Sequence, residues 1–556
     1  MRNFKRVVVL LLIAAMMFTV FAGCGSGDKK TGQSSDSTTA SQAATTATTQ
    51  DDPFKDKMEI SFAMWGVGSA YDNSKPDAVR DAIYKDLNIT VNPMNVTWDD
   101  YNQKIQVWAV SGQLPDMFAV DIFGTTNYSK WIDQGLLKAL PADMSAYPEI
   151  NKLLTSPGFD IYQYPMGDKN GKFYAIPRLN HMNINDWSTD CGVIVRKDWM
   201  TKVGVTKEPE TMDEFIDLMS KFVNNDCNGN GKKDEIGLTM YNSGWLSWFQ
   251  LAYEPGIQSG GWVKDPNDAT KWIPAFMTQK CLEGIKALKK LYDAGGMDKD
   301  FASLKGEEGR DKFAASTAGA YCHDVTPSTL GYVKTQFIKM PQNEGVDFDS
   351  SITILKPFKN ADGNTYRHIQ NPAWSETYIN ANCDDKKTDR ILRFLNYFLT
   401  DRGYGLIHWG IEGTDWHKEG DKVVLDPTKD ADGKDVALTT KYPVCGSGFI
   451  MEWSGTRQWT MPTKETTLQK MSSDLNDWLQ ANAKAVPTDL RIGYFDVPSK
   501  EKASANYSND LIKCILAKDV DKTWNDMMAA YKTNGYDTYI KEINDKCAEM
   551  GITPPQ

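Results

Sequence analysis

From Met58 onward, apolar runs of strand length alternate with stretches of helical periodicity, and few architectures accept that order. Met58-Glu59-Ile60-Ser61-Phe62-Ala63-Met64-Trp65 reads as a strand closed by Gly66-Val67-Gly68-Ser69. Val79, Ile83 and Leu87 fall at helical spacing over 76–87, Ile89 to Val96 reads as a second strand, and Tyr101 to Ser111 is again helical. Pro115 to Val120 is a short buried strand, followed by a short helix from Trp131 to Leu137. A second such stretch runs from about Gly192 to Gly319, where Thr211 and Glu214 have the spacing of a capping box and Gly295-Gly296 closes the helix from Leu282 to Ala294. Strands follow at Ile352 to Leu355 and Ala373 to Ile379, then a helix at Arg390 to Leu399 and a largely helical tail from about Thr466 to Met550. The pattern predicts an α/β chain with mostly parallel sheets covered by helices, whose ligands bind at the carboxyl ends of strands. At 556 residues it is too long for one core and suits two or three compact units.

Composition narrows the partners. A net charge of -11 disfavours nucleic acid, whose binding needs clustered positive charge to release counterions. The 17 Trp and 23 Tyr supply many rings able to stack on a ligand. Nine Cys show no CxxC or zinc spacing; without Cys24, eight remain, and their pairing is not readable.

The amino terminus points to export. Arg2, Lys5 and Arg6 precede an apolar run from Val7 to Ala22, too short to span a bilayer and of signal-peptide length. Phe21-Ala22-Gly23-Cys24 resembles a bacterial lipobox, which makes residues 1–23 a signal peptide and Cys24 the lipidated first residue. The alternative is an ordinary signal peptide with an incidental Cys. Residues 24–56, dominated by Gly, Ser, Thr, Ala and Gln, read as a flexible tether, and membrane attachment is through the lipid alone.

Four phrases carry a family likeness: Gly112-Gln113-Leu114-Pro115-Asp116-Met117; Gly171-Lys172-Phe173-Tyr174-Ala175-Ile176-Pro177; Val195 to Met200 followed by Glu208-Pro209-Glu210-Thr211; and Gly405 to Trp416. Together they resemble the extracellular solute-binding proteins of bacterial ABC importers, in the carbohydrate-binding family 1. The likeness is greatest to the lipoprotein branch called LipO-like, which is similar to alginate-oligosaccharide-binding proteins. The resemblance implies a two-lobed, periplasmic-binding-protein-like fold with a hinge and an interlobe ligand cleft. Lobe one is expected from 57–180 plus about 325–385, and lobe two from about 185–320 plus 390–556. The implied partners are an oligosaccharide or other small solute and the permease subunits of an importer. The implied setting is a monomer on the outer face of the cell membrane.

The segment Asp226-Cys227-Asn228-Gly229-Asn230-Gly231-Lys232-Lys233-Asp234-Glu235 places oxygen-bearing side chains at alternate positions before a glycine, as in a calcium loop. An EF-hand would need Glu at position 237, where this chain has Gly237. By resemblance to the alginate-binding relatives, Asp226, Asn228, Asn230, Lys232 (through its carbonyl), Asp234 and Glu235 would ligate a structural Ca²⁺. The plainer alternative is a polar turn.

Sugars present apolar ring faces and a rim of hydroxyls, so their sites pair aromatic platforms with hydrogen-bonding side chains. Aromatic and polar residues at strand ends and in loops are therefore expected to contact ligand: Trp65, Asp121, Arg178, Trp187, Trp245, Trp374, Glu376, Trp409, Glu412 and Trp416. A secreted glycosidase with a carboxylate pair would show the same composition, and a binder of a non-sugar solute is a further alternative. No GxSxG, HExxH, P-loop or dinucleotide fingerprint is present, and the expectation is a binding protein without catalysis.

Overall fold

A computed structural model describes residues 52–155, 172–180, 191–258, 261–369, 371, 373–433, 435–453, 466–503 and 505–555. Cys24, the leader, the tether as far as residue 51 and Trp187 lie outside the described residues. Pro53–Gln556 forms one compact unit.

Its described strands are β1 (Met58–Ala63), β2 (Ile89–Pro93), β3 (Met117–Ala119), β4 (Ala175–Leu179), β5 (Gly192–Arg196), β6 (Ile236–Met240), β7 (Trp262–Lys264), β8 (Trp272–Pro274), β9 (Ala318–His323), β10 (Ile352–Ile354), β11 (Thr365–Arg367), β12 (Ala373–Ile379), β13 (Trp416–Glu419), β14 (Lys422–Leu425) and β15 (Ala483–Ala485). Two sheets organise the unit, one in the order β2-β1-β3-β12-β4 and one in the order β10-β5-β9-β6. The fold is the expected α/β one, and its two sheets form the centres of two lobes.

In the first sheet, β1 runs parallel to β2 and β3, and β12 lies antiparallel between β3 and β4. The carboxyl ends of β1, β3 and β4 and the amino end of β12 therefore share one edge. The helix Ala78–Leu87 makes the β1–β2 crossover; Asp77 caps it, and Val79, Ile83 and Leu87 turn inward at the spacing read from sequence. In the second sheet, β6 and β9 are parallel, so Tyr241 and His323 emerge side by side. The helix Met212–Val223 covers this sheet; Thr211 caps it by accepting from the Glu214 amide. The Glu214 carboxylate does not complete a capping box and instead accepts from the Glu210 amide, 2.7 Å away.

The chain divides differently from the expected boundaries. β10 pairs with β5, and the helix Pro327–Phe337 packs with Phe313, Tyr321 and Leu475, so 325–354 lies with the second sheet rather than the first. The free edge of β5 takes up the apolar alternation of 352–355. The helices Asp385–Phe398 and Asp401–Trp409 pack on the first-sheet side, against β1 and the helix Ala78–Leu87, although residues from 390 on were expected in lobe two. The helix Thr467–Asn482 then returns to the core around Phe313 and Val333.

The eight described cysteines are all buried and none is in a disulfide. A core of this size does not depend on such links. No described helix is long and apolar enough to cross a membrane.

Candidate functional site

The shared edge of the first sheet carries a group of aromatic rings. Trp65 follows β1, Trp374 lies in β12, and Phe449 and Trp453 come from the segment after the helix Asp401–Trp409. That segment is drawn in by the edge strand β4: the Leu179 amide donates to Met451 O and the Trp453 amide to Leu179 O. Trp65 lies within 25° of parallel to Trp374, Phe449 and Trp453, with centroids 6.2, 6.0 and 6.3 Å away. Trp374 and Trp453 are 5.6 Å apart, and the Trp453 indole donates to Trp374 O. Trp98 stands edge-on to Trp65 at 5.0 Å and is 49% exposed, a large apolar surface left in the open.

Beneath the rings lies a charged group. Arg178, at 0% exposure, donates to Ser375 Oγ at 3.0 Å and to Ile450 O at 3.3 Å. Its guanidinium carbon lies 5.1 Å from the Trp65 centroid and 5.9 Å from that of Trp453. Burial lowers its pKa to about 10, with Glu376 acting in the opposite sense. Glu376, 2% exposed, has its carboxyl pushed up to about 8 by burial and by the neighbouring Asp121, against the pull of Arg178. Its Oε2 makes no hydrogen bond among the described residues. Asp121 is open to solvent, yet the surrounding walls desolvate it and raise its carboxyl. The Tyr101 hydroxyl, pushed up to about 12 by burial, is influenced by Asp121, Arg178 and Glu376 alike, so the four groups form one electrostatic cluster.

The second sheet presents a smaller group. The His323 ring lies 4.5 Å from both Tyr241 and Trp245, and burial lowers its pKa. Arg310 sits 4.2 Å over Tyr332. Burial raises the Tyr241 hydroxyl, and the charges that add to this include Glu307 and Asp99, the residue after Trp98. Asp99 is thus near enough to Tyr241 to act on its hydroxyl.

Of the ligand contacts expected from sequence, Trp65, Asp121, Arg178, Trp374 and Glu376 come together. Trp245 belongs to the opposite group. Trp409, Glu412 and Trp416 do not join either group; they line a separate cavity of about 500 Å³ against the hairpin β13–β14, which corrects their placement in the cleft. Trp98, Tyr101, Phe449 and Trp453 were missed. Trp98 had a readable signal, a loop just past a strand end in Thr97-Trp98-Asp99-Asp100, whereas Trp453 is placed by non-local pairing. Another cavity, of about 700 Å³, lies around Lys356 and Trp478 on the second-sheet side and shares no residue with the rings. The stacked rings over buried charge mark the candidate site.

In the loop 226–235, Asp226 accepts from the amides of Gly229, Asn230 and Gly231. Asn228 and Asn230 accept from the amides of Asn230 and Lys232, and the Asn230 side chain donates to Asp234. Glu235 Oε1 accepts from the Cys227 and Asn228 amides. Its Oε2 is buried with no hydrogen-bond partner among the described residues. No group of three or more His, Cys, Asp or Glu among the described residues is arranged to hold a metal. The orphaned oxygen of Glu235 is nevertheless what an oxygen-ligated cation would satisfy.

Residues 69–404 match the family model of the bacterial extracellular solute-binding protein. The chain is 24% identical over 438 residues to the polygalacturonan/rhamnogalacturonan-binding protein YtcQ of Bacillus subtilis (strain 168), covering 76% of each chain. It is 28% identical over 249 residues to the lipoprotein LipO of the same organism, covering 41% of this chain and 44% of LipO. Among solved structures, the Streptococcus pneumoniae substrate-binding protein FusA in complex with kestose superposes with a TM-score of 0.65 at 16% identity, over 89% of this chain and 99% of that one. The alginate-binding protein AlgQ2, without calcium ion, gives 0.64 at 15% identity, over 89% and 98%. At these identities the structural likeness speaks for the fold.

Proposed function

The chain belongs to the bacterial extracellular solute-binding proteins, and we propose that it is the substrate-binding lipoprotein of an ABC importer, capturing an oligosaccharide between its lobes and passing it on unchanged. The observation that carries this reading is the set of near-parallel rings of Trp65, Trp374, Phe449 and Trp453, with Trp98 exposed beside them. Stacked indoles match the apolar faces of successive sugar rings, and Asp121 and Tyr101 offer acceptors and donors at their rim. YtcQ is named for binding pectic polysaccharides and FusA for fructooligosaccharide, which makes acidic pectic fragments and fructans the first ligands to try.

In this reading Arg178 and Glu376 position the rings and are not contacts. Glu376 presents almost no surface to a substrate, so it cannot serve as the acid of a glycosidase, whose carboxyls must flank the scissile bond. That burial takes Glu376 out of such a role. Ligand bridging the Trp98 loop and the Tyr241–Trp245 group would draw the lobes together and shift the population to the closed form. The importer's permease subunits would recognise that form. The protein would act as a monomer, held to the outer face of the membrane by lipid on Cys24.

Calcium belongs to the same proposal. Asp226, Asn228, Asn230, Asp234, Glu235 and the Lys232 carbonyl would hold it, and the ion would stiffen the loop without touching ligand.

The test is a thermal-shift screen of the soluble body with polygalacturonan and rhamnogalacturonan fragments and kestose, each sample then assayed for cleavage. Binding raises the melting temperature by mass action. A shift without product supports the reading; product formation, or no shift with any oligosaccharide, refutes it.

A further inference from the structure

The cavity that took Trp409, Glu412 and Trp416 away from the cleft has a chemistry of its own. It lies between the helix Asp401–Trp409 and the hairpin β13–β14, encloses about 500 Å³, and shares no lining residue with the rings around Trp65. That volume is within the range of small-ligand sites.

Its framework is fixed by residues that do not depend on an occupant. Gly410 adopts φ 84°, and a Cβ there would meet the Asp415 carboxylate. Asp415 accepts from the Ile411 amide at 2.8 Å and from Lys441 at 2.5 Å. The Trp416 indole donates to Gly410 O at 3.3 Å and its ring stands at 68° to Trp409, centroids 5.3 Å apart. Trp416 is buried and Trp409 half-buried, so Trp409 is the ring with a face to offer.

Beside the apolar Leu406 and Val423, the lining carries polar side chains that are not engaged. Glu412, Lys418 and Asp421 are exposed and form no side-chain hydrogen bond or ion pair among the described residues. Arg402, by contrast, is already paired with Asp86 at 2.5 Å. Free groups of both signs beside an indole face do not suit a phosphate or a polyanion, which call for unpaired cations. They suit the hydroxyls of an uncharged ring.

We infer that this cavity is a second saccharide site, taking a neutral sugar unit stacked on Trp409 and hydrogen-bonded by Glu412, Lys418 and Asp421. It would hold the protein to a neutral glycan independently of the interlobe cleft.

The test uses the soluble body carrying Trp98→Ala and Asp121→Ala, which weakens the cleft, so that a further loss on altering the second cavity separates the two readings. Native gels containing dissolved inulin, arabinan, galactan or xylan report binding as retardation. At least one glycan is expected to retard this protein, and adding Trp409→Ala is expected to weaken the retardation about threefold or more, the size of a lost stacking contact. Glu412→Ala with Lys418→Ala, both at exposed positions, is expected to do the same, and this pair decides the matter if Trp409→Ala melts early by circular dichroism. Absence of retardation by all four glycans, or retardation unchanged in the Glu412→Ala/Lys418→Ala protein, overturns the inference.

Discussion

The guanidinium of Arg178 lies 5.1 Å from the centre of the Trp65 ring, at the carboxyl edge of the first sheet, while its fork holds Ser375 and the Ile450 carbonyl. One fully buried cation thereby ties three separate chain segments to the ring that the other aromatics flank. A planar, multiply donating group can do this where a lysine cannot. The arrangement sets the rings before any ligand arrives, which reduces the ordering cost that binding has to overcome.

Trp98 is the ring most able to meet a ligand and least able to disturb the fold. Trp98→Ala is expected to weaken oligosaccharide binding about tenfold, the equivalent of roughly 1.4 kcal/mol of lost stacking. Its melting temperature in the absence of ligand is expected to stay near that of the parent, since half of the side chain is already in water. Isothermal titration and a thermal melt check the two halves.

Glu376 makes stability depend on pH. Its carboxyl rises from 4.5 to about 8 on folding, so between these values the folded chain holds a proton that the unfolded chain has lost. The slope of stability with pH is then negative: this contribution is present below about 4.5 and fades as pH rises through about 8. Glu376→Gln is expected to lose that fall, and melting curves at pH 5, 6.5 and 8 should show the variant gaining on the parent at the highest pH.

Glu235 should report calcium. Millimolar Ca²⁺ is expected to raise the melting temperature of the parent and a chelator to lower it, with about 2.7 kcal/mol of stabilisation at a hundredfold excess over Kd. Glu235→Gln should abolish the response. Saccharide affinity should be the same with and without the ion, because the loop lies apart from the rings.

Residues 494–501 bridge the hairpin β7–β8 and the segment 124–130. The segment packs through Phe495 and Val497 on Trp262 and Trp272. Lys500 donates to the carbonyls of Gly124, Gly493 and Phe495, at 2.6, 3.0 and 3.0 Å. Glu501 pairs with Lys130 at 3.1 Å, and Ser129 donates to Asp496. If this bridge favours closure over ligand, Lys500→Met is expected to loosen it and raise the apparent Kd severalfold. Glu501→Ala should cost less, since its pair is exposed and worth at most about 1 kcal/mol. Small-angle scattering of the ligand-free variants should show the larger radius in Lys500→Met.

Much of this was legible in the chain. Apolar runs located β1, β2, β3, β10 and β12, and strand-end logic singled out Trp65, Asp121, Arg178, Trp374 and Glu376, which the fold brings to one edge. Local pattern carries no information about which sheet a strand joins, so β10 and the helix Asp385–Phe398 were placed in the wrong lobes. Trp453 sits in a stretch without periodicity and reaches the site only because the free edge of β4 recruits it. Trp409 and Trp416 looked like site residues because their composition is right; the turn built by Gly410 and Asp415 directs them elsewhere.

The measurement that bears most directly on the central claim is a calorimetric titration of the soluble body with a defined oligosaccharide from the screen, followed by mass analysis of the recovered sugar. Saturable binding that is weakened in Trp98→Ala, with the sugar returned at its original mass, is the predicted result. Heat that continues after saturation together with shortened fragments, or binding indifferent to Trp98, would contradict it.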